Sequence, residues 1–360
     1  MKLLIVANMY PSVKDPVYGT FVYNFVQHLK SLNPSAQIDV VTIYGRRNGY
    51  IAKTGAYCKY YAESLKVLLR NNYDLVYVHT VTFPIIPIRL ALIFKRLPLV
   101  FNVHGDDVLP SNALKRTLKR LARPVVRKAR MIVCPSSYFA DVVKREFPGV
   151  TDGQLFVSPS GGVDPMFFIE HKTRSAGQPL TLGFVSRIDP GKNWEMFIEA
   201  ISQIREQGID CRGIIAGRGA QVDMMKQMIT AKRLNEFIDH LGPVPQTQLP
   251  SLYSSMDLFV FPTTRRAESL GLVGLEAMAA GTPVIASNMA GPKTYITDGI
   301  DGYLFNPGDT NSLVSKILEY TRLSEENQVA MQKAARNTSS RFEASIVAAK
   351  LNDAIKNAIV

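Results

Sequence analysis

Short apolar segments alternate along the chain with longer segments in which apolar residues recur at helical spacing. Short runs that are mostly or wholly apolar are typical of buried parallel strands. In the first half these runs lie at 3–7, 38–43, 75–79, 99–103, 131–134 and 155–158. In the second half they lie at 180–186, 214–216, 237–241, 257–261 and 284–286. The pattern therefore predicts an α/β protein in which parallel sheets are covered by helices on both faces.

The helices are predicted between these runs, at 21–29, 57–70, 85–96, 111–130, 137–147 and 194–204. Pro124 is expected to kink or divide the helix over 111–130, because proline removes an intrahelical hydrogen bond. A further helix should begin after Gly271 and end at Gly281, and more helices should follow a turn-strand-turn unit at 301–309 to the C-terminus.

The length and composition allow two globular domains and exclude several classes of protein. The chain has 360 residues, of which 46% are hydrophobic and 20% charged. Three cysteines without metal-ligand spacing, Cys58, Cys134 and Cys211, are interpreted as reduced core residues of a cytoplasmic protein. The first apolar run is too short for a signal peptide. Charges and prolines interrupt residues 85–103, so we do not expect a membrane span there.

The net charge of +12 is concentrated in the first half of the chain. Residues 1–170 contain 22 Lys and Arg against 11 Asp and Glu, whereas residues 171–360 contain 20 against 19. The segment 111–130 has eight Lys or Arg and no acidic residue, beside a stripe formed by Leu114, Leu118, Leu121 and Val125. We expect this segment to dock on an anionic membrane. The alternative is that the leucines face the domain core and the cations are solvated.

Two glutamates, Glu268 and Glu276, stand eight positions apart with two glycines between them. A helix that begins after Gly271 presents free N–H groups and a positive dipole end, which suits a phosphate. A carboxylate can accept hydrogen bonds from two sugar hydroxyls. An isolated pair at this spacing is more often a solvated surface feature, so the surrounding sequence Leu-Gly-Leu-Val-Gly-Leu-Glu-Ala-Met-Ala-Ala-Gly-Thr-Pro-Val-Ile-Ala-Ser decides its interpretation.

Three further candidates follow predicted strands. Arg187 and Lys192 lie on either side of Gly191 and could clamp a diphosphate, although the segment could also be an ordinary basic loop. His104 ends a strand and precedes Gly-Asp-Asp, where a structural histidine is equally compatible with the sequence. The carboxyl ends of parallel strands are where such sheets bind ligands.

The glutamate motif and its context resemble the Glu-x7-Glu signature of the retaining nucleotide-sugar glycosyltransferases of family 4. The resemblance covers nearly the whole chain and implies the GT-B fold, in which two Rossmann-like parallel-sheet domains face a central cleft. The expected acceptor-side domain comprises residues 1–165 and about 342–360. A linker at 166–178 leads to the nucleotide-sugar domain at 179–341.

The resemblance also assigns roles to individual residues. Glu276 is expected to hold the ribose hydroxyls, Glu268 the hydroxyls of the transferred sugar, and His104 to assist near the acceptor. Arg187 and Lys192 would stabilise the leaving diphosphate. The other expected donor contacts are Gly19, Gly217, Val244, Gly271, Leu272 and Val273. The chain departs from the family pattern by keeping only Gly19 of a Gly-Gly pair, and by having Ala290-Gly291 and Thr294 where Gly-Gly and Glu are usual.

The predicted activity is retaining transfer of a sugar from a nucleotide-diphosphate sugar to a hydroxyl of a glycan or lipid-linked glycan, in bacterial surface polysaccharide biosynthesis. No metal and no cofactor other than the donor are expected, and the protein should be cytoplasmic or peripheral on the inner face of the membrane. A nucleotide-sugar epimerase of the same fold is an alternative. A nucleic-acid-binding module is disfavoured because the basic helix lacks interleaved aromatic residues. A dehydrogenase is disfavoured because no G-x-G-x-x-G is present.

Overall fold

The computed structural model describes residues 1–16, 18–172, 174 and 177–359. The chain divides into an N-terminal unit, Met1–Gly162 with Ser345–Val360, and a C-terminal unit, Val163–Ala344. Some residues of the predicted first loop, of the predicted linker and of the predicted C-terminal segment lie outside the described residues, namely 17, 173, 175, 176 and 360.

The N-terminal unit contains one six-stranded parallel sheet in the order β2-β1-β3-β4-β5-β6. Its strands are β1 (Lys2–Val6), β2 (Gln37–Val41), β3 (Leu75–His79), β4 (Leu99–Asn102), β5 (Met131–Cys134) and β6 (Leu155–Val157). Its helices are α1 (Thr20–Leu32), α2 (Tyr50–Arg70), α3 (Ile85–Phe94), α4 (Ala113–Val126) and α5 (Ser137–Glu146). All residues of β3 and β5 are buried, as expected for strands covered on both faces.

The C-terminal unit contains a second parallel sheet in the order β12-β11-β10-β7-β8-β9. Its strands are β7 (Leu180–Val185), β8 (Cys211–Ala216), β9 (Ile238–Gly242), β10 (Leu258–Phe261), β11 (Val284–Ser287) and β12 (Gly302–Phe305). The helices that follow are α6 (Trp194–Glu206), α7 (Val222–Ala231), α8 (Leu249–Ser254), α9 (Leu272–Ala279), α10 (Thr310–Thr321), α11 (Glu325–Ser340) and α12 (Ala344–Asn357).

The C-terminal helix α12 packs in the N-terminal unit. Leu351 and Ile355 are buried in the same apolar cluster as Leu3 and Ile5 of β1. Asn352 accepts a 2.6 Å hydrogen bond from the Nδ2 group of Asn33 at the end of α1. The predicted parallel sheets with flanking helices are confirmed in both units.

Three local expectations differ from the structure. Helix α2 begins at Tyr50, seven residues before the predicted start. Its first turn is exposed and carries no buried stripe, so the apolar pattern did not indicate it. Pro124 lies inside α4, which continues to Val126 without being divided. Cys134 and Cys211 are buried in strands, whereas Cys58 is exposed on α2. Within the described part of the chain, no helix is long and apolar enough to cross a membrane.

Candidate functional site

Most of the predicted site residues of the C-terminal unit lie in loops at the carboxyl end of its sheet. Arg187 and Lys192 follow β7, Gly217 follows β8, Val244 follows β9 and Glu268 follows β10. Strands β7 and β10 are neighbours in the sheet, so their loops are adjacent although 76 residues separate Lys192 from Glu268. This edge is where parallel α/β sheets bind their ligands.

Lys192 and Glu268 form a direct ion pair. The Lys192 Nζ lies 2.6 Å from Glu268 Oε2, and both side chains are mostly buried. Two further bonds fasten the β7 and β10 loops together, from Thr264 N to Gly191 O and from Asn193 Nδ2 to Pro262 O. The pair therefore presents one positive and one negative group at a fixed position beside the sheet edge.

Arg187 has a different environment from Lys192. Its side chain is 63% exposed and its Nη1 lies 2.9 Å from the Asp189 carboxylate. Asp189 also accepts a 3.0 Å hydrogen bond from the backbone N–H of Ala220, in the loop after β8. Sequence reasoning did not single out Asp189, which connects the two loops and holds Arg187 at the surface of the site.

Glu276 is buried inside α9, and the residue is only 7% exposed. Burial raises the pKa of its carboxyl group from the ordinary value to about 7, and the negative charge of Asp164 acts in the same direction. The hydroxyl of Tyr253 donates a 3.3 Å hydrogen bond to Oε2 and partly opposes this rise. Hydroxyl donors from a ligand would favour the ionised form of a carboxyl group held in this way. Neither Tyr253 nor Asp164 could be recognised from the motif.

The start of α9 requires a glycine. Gly271 adopts a φ of 81° as the N-terminal capping residue, and an added Cβ would overlap the ring of Phe261. The next two residues, Leu272 and Val273, provide N–H groups of the first helical turn, for which the helix itself offers no acceptor. Glu268 thus precedes a helix start suited to an anion, and Glu276 lies within the helix that begins there.

Position 217 also requires a glycine, because of its backbone conformation and its close neighbours. It adopts a φ of 145° directly after β8, and a Cβ would overlap the carbonyl group of Ser186. Its N–H donates a 2.7 Å hydrogen bond to Gly242 O at the end of β9. Val244, two residues further along the chain, is half-buried against the apolar cluster that includes Leu275 of α9.

In the N-terminal unit, His104 forms a pair with His79. His79 Nδ1 and His104 Nε2 are 3.2 Å apart, and the two rings are stacked with an interplanar angle of 12°. Burial lowers the pKa of both histidines, so the pair is neutral at pH 7. Asp107 fixes the turn by accepting hydrogen bonds from the backbone N–H groups of His104, Gly105 and Val81. Sequence reasoning identified His104 but not its partner at the end of β3.

The remaining predicted residue of this unit, Gly19, caps the N-terminus of α1 with a φ of 73°. Phe21, in the first turn of the same helix, lies 4.6 Å from the ring of His104 between centroids. Gly19 and His104 therefore belong to neighbouring parts of one sheet edge, after β1 and β4. Within the described residues, no group of three His, Cys, Asp or Glu side chains is arranged to hold a metal ion.

The basic helix α4 is amphipathic, but its faces differ from the predicted ones. Leu118 and Val125 are buried, whereas Leu114 and Leu121 are exposed. Lys119 is buried: its ammonium group donates to Val108 O and pairs with Glu146. The alternative in which the cations of the segment are solvated is wrong for this residue. The burial results from its position in the same helical face as Leu118 and Ala122.

Two family models match the chain over consecutive regions. A model described as Glycosyltransferase Family 4 matches residues 19–164, and one described as Glycosyl transferases group 1 matches residues 166–338. The alternative of a nucleotide-sugar epimerase is not favoured by these matches.

Curated relatives and a solved structure agree with the family models. The chain is 27% identical over 323 residues to the alpha-D-kanosaminyltransferase of Streptomyces kanamyceticus, covering 80% of both chains. It is 24% identical over 274 residues to the lipopolysaccharide 1,2-N-acetylglucosaminetransferase of Salmonella typhimurium, covering 72% of this chain and 67% of that protein. The structure of Anabaena HepE in complex with UDP-glucose matches with a TM-score of 0.75 at 20% identity, covering 99% of this chain and 100% of HepE.

The parallel sheets of both units agree with the fold of that neighbour. The two family models together extend from residue 19 to residue 338 and leave only residue 165 between them. This chain therefore belongs to the family 4 type of glycosyltransferases, with the GT-B fold.

Proposed function

We propose that the C-terminal unit binds a nucleoside-diphosphate sugar and that the enzyme transfers the sugar, with retention of anomeric configuration, to a hydroxyl of a glycan or lipid-linked glycan. The observation that carries the donor assignment is the arrangement at the start of α9. There Glu268, which pairs with Lys192, precedes a glycine-capped helix start, and the buried Glu276 follows it within the same helix. Hydroxyl acceptors, a cation and free N–H groups are the groups that a nucleotide sugar requires.

Each group has a defined task in the proposed reaction. Glu276 accepts hydrogen bonds from the ribose hydroxyls, and Glu268 from hydroxyls of the transferred sugar. Glycosyl transfer passes through an oxocarbenium-like state while negative charge develops on the leaving diphosphate. Lys192, Arg187 and the first N–H groups of α9 stabilise that charge. His104, held neutral by burial, assists on the acceptor side.

The acceptor class is proposed from the relatives. One of them is named for transfer to lipopolysaccharide and another for transfer of kanosamine. A glycan or lipid-linked glycan of a bacterial surface polysaccharide fits the first of these, and a protein that uses it would work in the cytoplasm at the inner face of the membrane.

A screen of donors tests the proposal. Thermal unfolding should be followed with UDP-, GDP-, ADP- and CDP-sugars, because a ligand at a hundred times its dissociation constant stabilises the folded protein by ~2.7 kcal/mol. One nucleotide series should raise the unfolding temperature, and nuclear magnetic resonance of the product should show the anomeric configuration of the donor. Absence of stabilisation by every series, or an inverted product, would contradict the proposal.

We also propose that the N-terminal unit docks on an anionic membrane through residues 111–130. This unit contains 24 Lys and Arg against 10 Asp and Glu, a net charge of +14, whereas the C-terminal unit has 18 against 20, a net charge of −2. Arg116, Arg120 and Arg123 are exposed along one side of α4 at helical spacing. Each cation near an anionic leaflet contributes ~1 kcal/mol, so three of them suffice for reversible attachment in combination with apolar contacts.

Sedimentation with vesicles tests the docking. Binding should occur with vesicles of phosphatidylglycerol and phosphatidylcholine, decrease with salt, and be absent with phosphatidylcholine alone. Replacing Arg116, Arg120 and Arg123 by Gln should abolish binding and leave donor hydrolysis in solution unchanged. A matched control removes three exposed cations of the C-terminal unit and should bind normally, namely Lys226→Gln, Arg322→Gln and Lys333→Gln. Equal vesicle binding by the α4 variant and the control variant would contradict the docking of residues 111–130 on the membrane.

A further inference from the structure

Helix α3 exposes a row of large apolar side chains. Leu90, Ile93 and Phe94 are 45%, 72% and 73% exposed, and their spacing places them on one face of the helix. The opposite face, with Ile85, Ile88 and Ala91, is buried against the core of the N-terminal unit. The exposed row is therefore not a consequence of loose packing, because the same helix has a complete buried face.

The exposed face of α3 continues onto α4. Arg89 Nη1 donates a 3.2 Å hydrogen bond to Leu121 O, which joins the two helices next to Leu90. Leu121 and Leu114 of α4 are themselves 39% and 60% exposed. Five large apolar side chains on two joined helices form an exposed group of a kind that marks interaction surfaces.

The charges that α3 and α4 themselves carry around this group are of one sign. Arg89 and Arg96 are exposed at the two ends of the apolar row of α3, and α3 itself contains no acidic residue. On α4, Arg116, Arg120 and Arg123 are exposed, and this helix also lacks acidic residues. A second copy of the chain would bring these cations against one another, whereas an anionic lipid surface complements them.

We propose that the apolar face of α3 inserts into the lipid surface and that α4 supplies the adjacent cations. The inference rests on the proposed docking of α4 and adds the residues that enter the acyl region: Leu90, Ile93 and Phe94. Insertion of apolar side chains explains why a row of this size remains uncovered beside a helix without acids.

Tryptophan fluorescence tests the insertion directly. The single native tryptophan, Trp194, is buried in the C-terminal unit and gives a constant background. Phe94→Trp should shift to shorter emission wavelength on phosphatidylglycerol-containing vesicles and be quenched by lipids brominated in their acyl chains. The matched control is Ile300→Trp, at a 60% exposed apolar position of the C-terminal unit, which should show neither effect.

A second variant measures the contribution to binding. Replacing Leu90, Ile93 and Phe94 by Ser should lower the vesicle partition coefficient by on the order of tenfold. The circular dichroism spectrum should be unchanged because these side chains are exposed.

Each contrary result has a separate meaning. Vesicle binding with an unquenched Phe94→Trp would overturn the insertion and leave the docking of α4 in place. Failure of the unmodified protein to bind anionic vesicles would overturn both. Protection of Phe94→Trp from acrylamide that increases with protein concentration, without vesicles, would show that a second copy covers this face and would also overturn the insertion.

Discussion

Glu276→Gln should make the ligand-free protein more stable at alkaline pH while weakening its affinity for nucleotide. The carboxyl group is buried in α9 and its nearest hydrogen-bonding partner is the hydroxyl of Tyr253. Glutamine has nearly the same shape and can still accept that hydrogen bond, but it carries no charge that must be desolvated. The substitution therefore removes the free-energy cost of ionising the buried carboxyl group and keeps the packing of the side chain.

The magnitude follows from the change in pKa. Burial raises the pKa of Glu276 from the ordinary value of 4.5 to about 7. The folded state binds this proton more tightly than the unfolded state, so the free energy of unfolding falls as pH rises from about 4.5 to about 7 and is constant above that range. At 1.36 kcal/mol for each pKa unit, Glu276→Gln should be more stable by up to about 3 kcal/mol at pH 8. The two proteins should have similar stability well below pH 4.5, where the carboxyl group is protonated in both the folded and the unfolded state.

Urea unfolding at pH 5 and pH 8, followed by the fluorescence of Trp194, is the appropriate assay. Trp194 is the single tryptophan and lies in the same unit as Glu276, so its signal reports the unfolding of that unit. Glu268→Gln is a matched control with the opposite expectation, because it leaves the mostly buried Lys192 without its carboxylate partner and should not stabilise the unit.

The same variant should bind free nucleoside diphosphate at least about tenfold more weakly, because an amide oxygen accepts ribose hydroxyls less strongly than a carboxylate. Equal stability of Glu276→Gln and the unmodified protein at pH 8 would refute the burial argument. Equal nucleotide affinities would refute the assignment of Glu276 to the ribose.

Three further results are expected. Arg187→Ala and Lys192→Ala should each lower kcat by on the order of a hundredfold, the effect of losing one charge-stabilising donor, with circular dichroism unchanged; near-normal turnover of both variants would remove these residues from the mechanism. Glu268→Gln should retain affinity for free nucleoside diphosphate in calorimetry but impair transfer, and a parallel loss of both would contradict its assignment to the sugar. Lys119→Ala should lower the midpoint of thermal unfolding, because the Val108 carbonyl and the Glu146 carboxylate lose their donor at a cost of about 1–3 kcal/mol. The control variant Arg116→Ala should change the free energy of unfolding by less than about 0.5 kcal/mol. Equal effects of the two variants would show that burial of Lys119 is not what stabilises α4.

The strands were predictable because the signal for a buried parallel strand is local. The run at 75–79 coincides with β3 and the run at 131–134 with β5, and the other predicted strands differ from the observed bounds by a few residues. The start of α2 was missed for the complementary reason. Tyr50 and Ile51 are more than four-fifths exposed, so the first turn of this helix has no buried face from which a periodicity could be recognised.

In the candidate site, too, local patterns in the sequence predicted some features and missed others. The glycines, the glutamates and the two cations could be proposed because each follows a predicted strand or begins a predicted helix. Their mutual contacts could not be proposed. Lys192 meets Glu268 because β7 and β10 are neighbours in the sheet, and no local pattern in the sequence encodes that order.

The sequence by itself determined the element types, the parallel sheets and the residues that stand at strand ends, since these depend on spacing over a few residues. Only the tertiary structure decided which of these residues are buried and which are paired. Burial in α9 gives Glu276 its raised pKa, and packing of α4 turns Lys119 inward. The mostly apolar segment around α3 gave no indication that one of its faces remains exposed. Exposure and ionisation depend on neighbours that are distant in the sequence, and the fold alone brings those neighbours together.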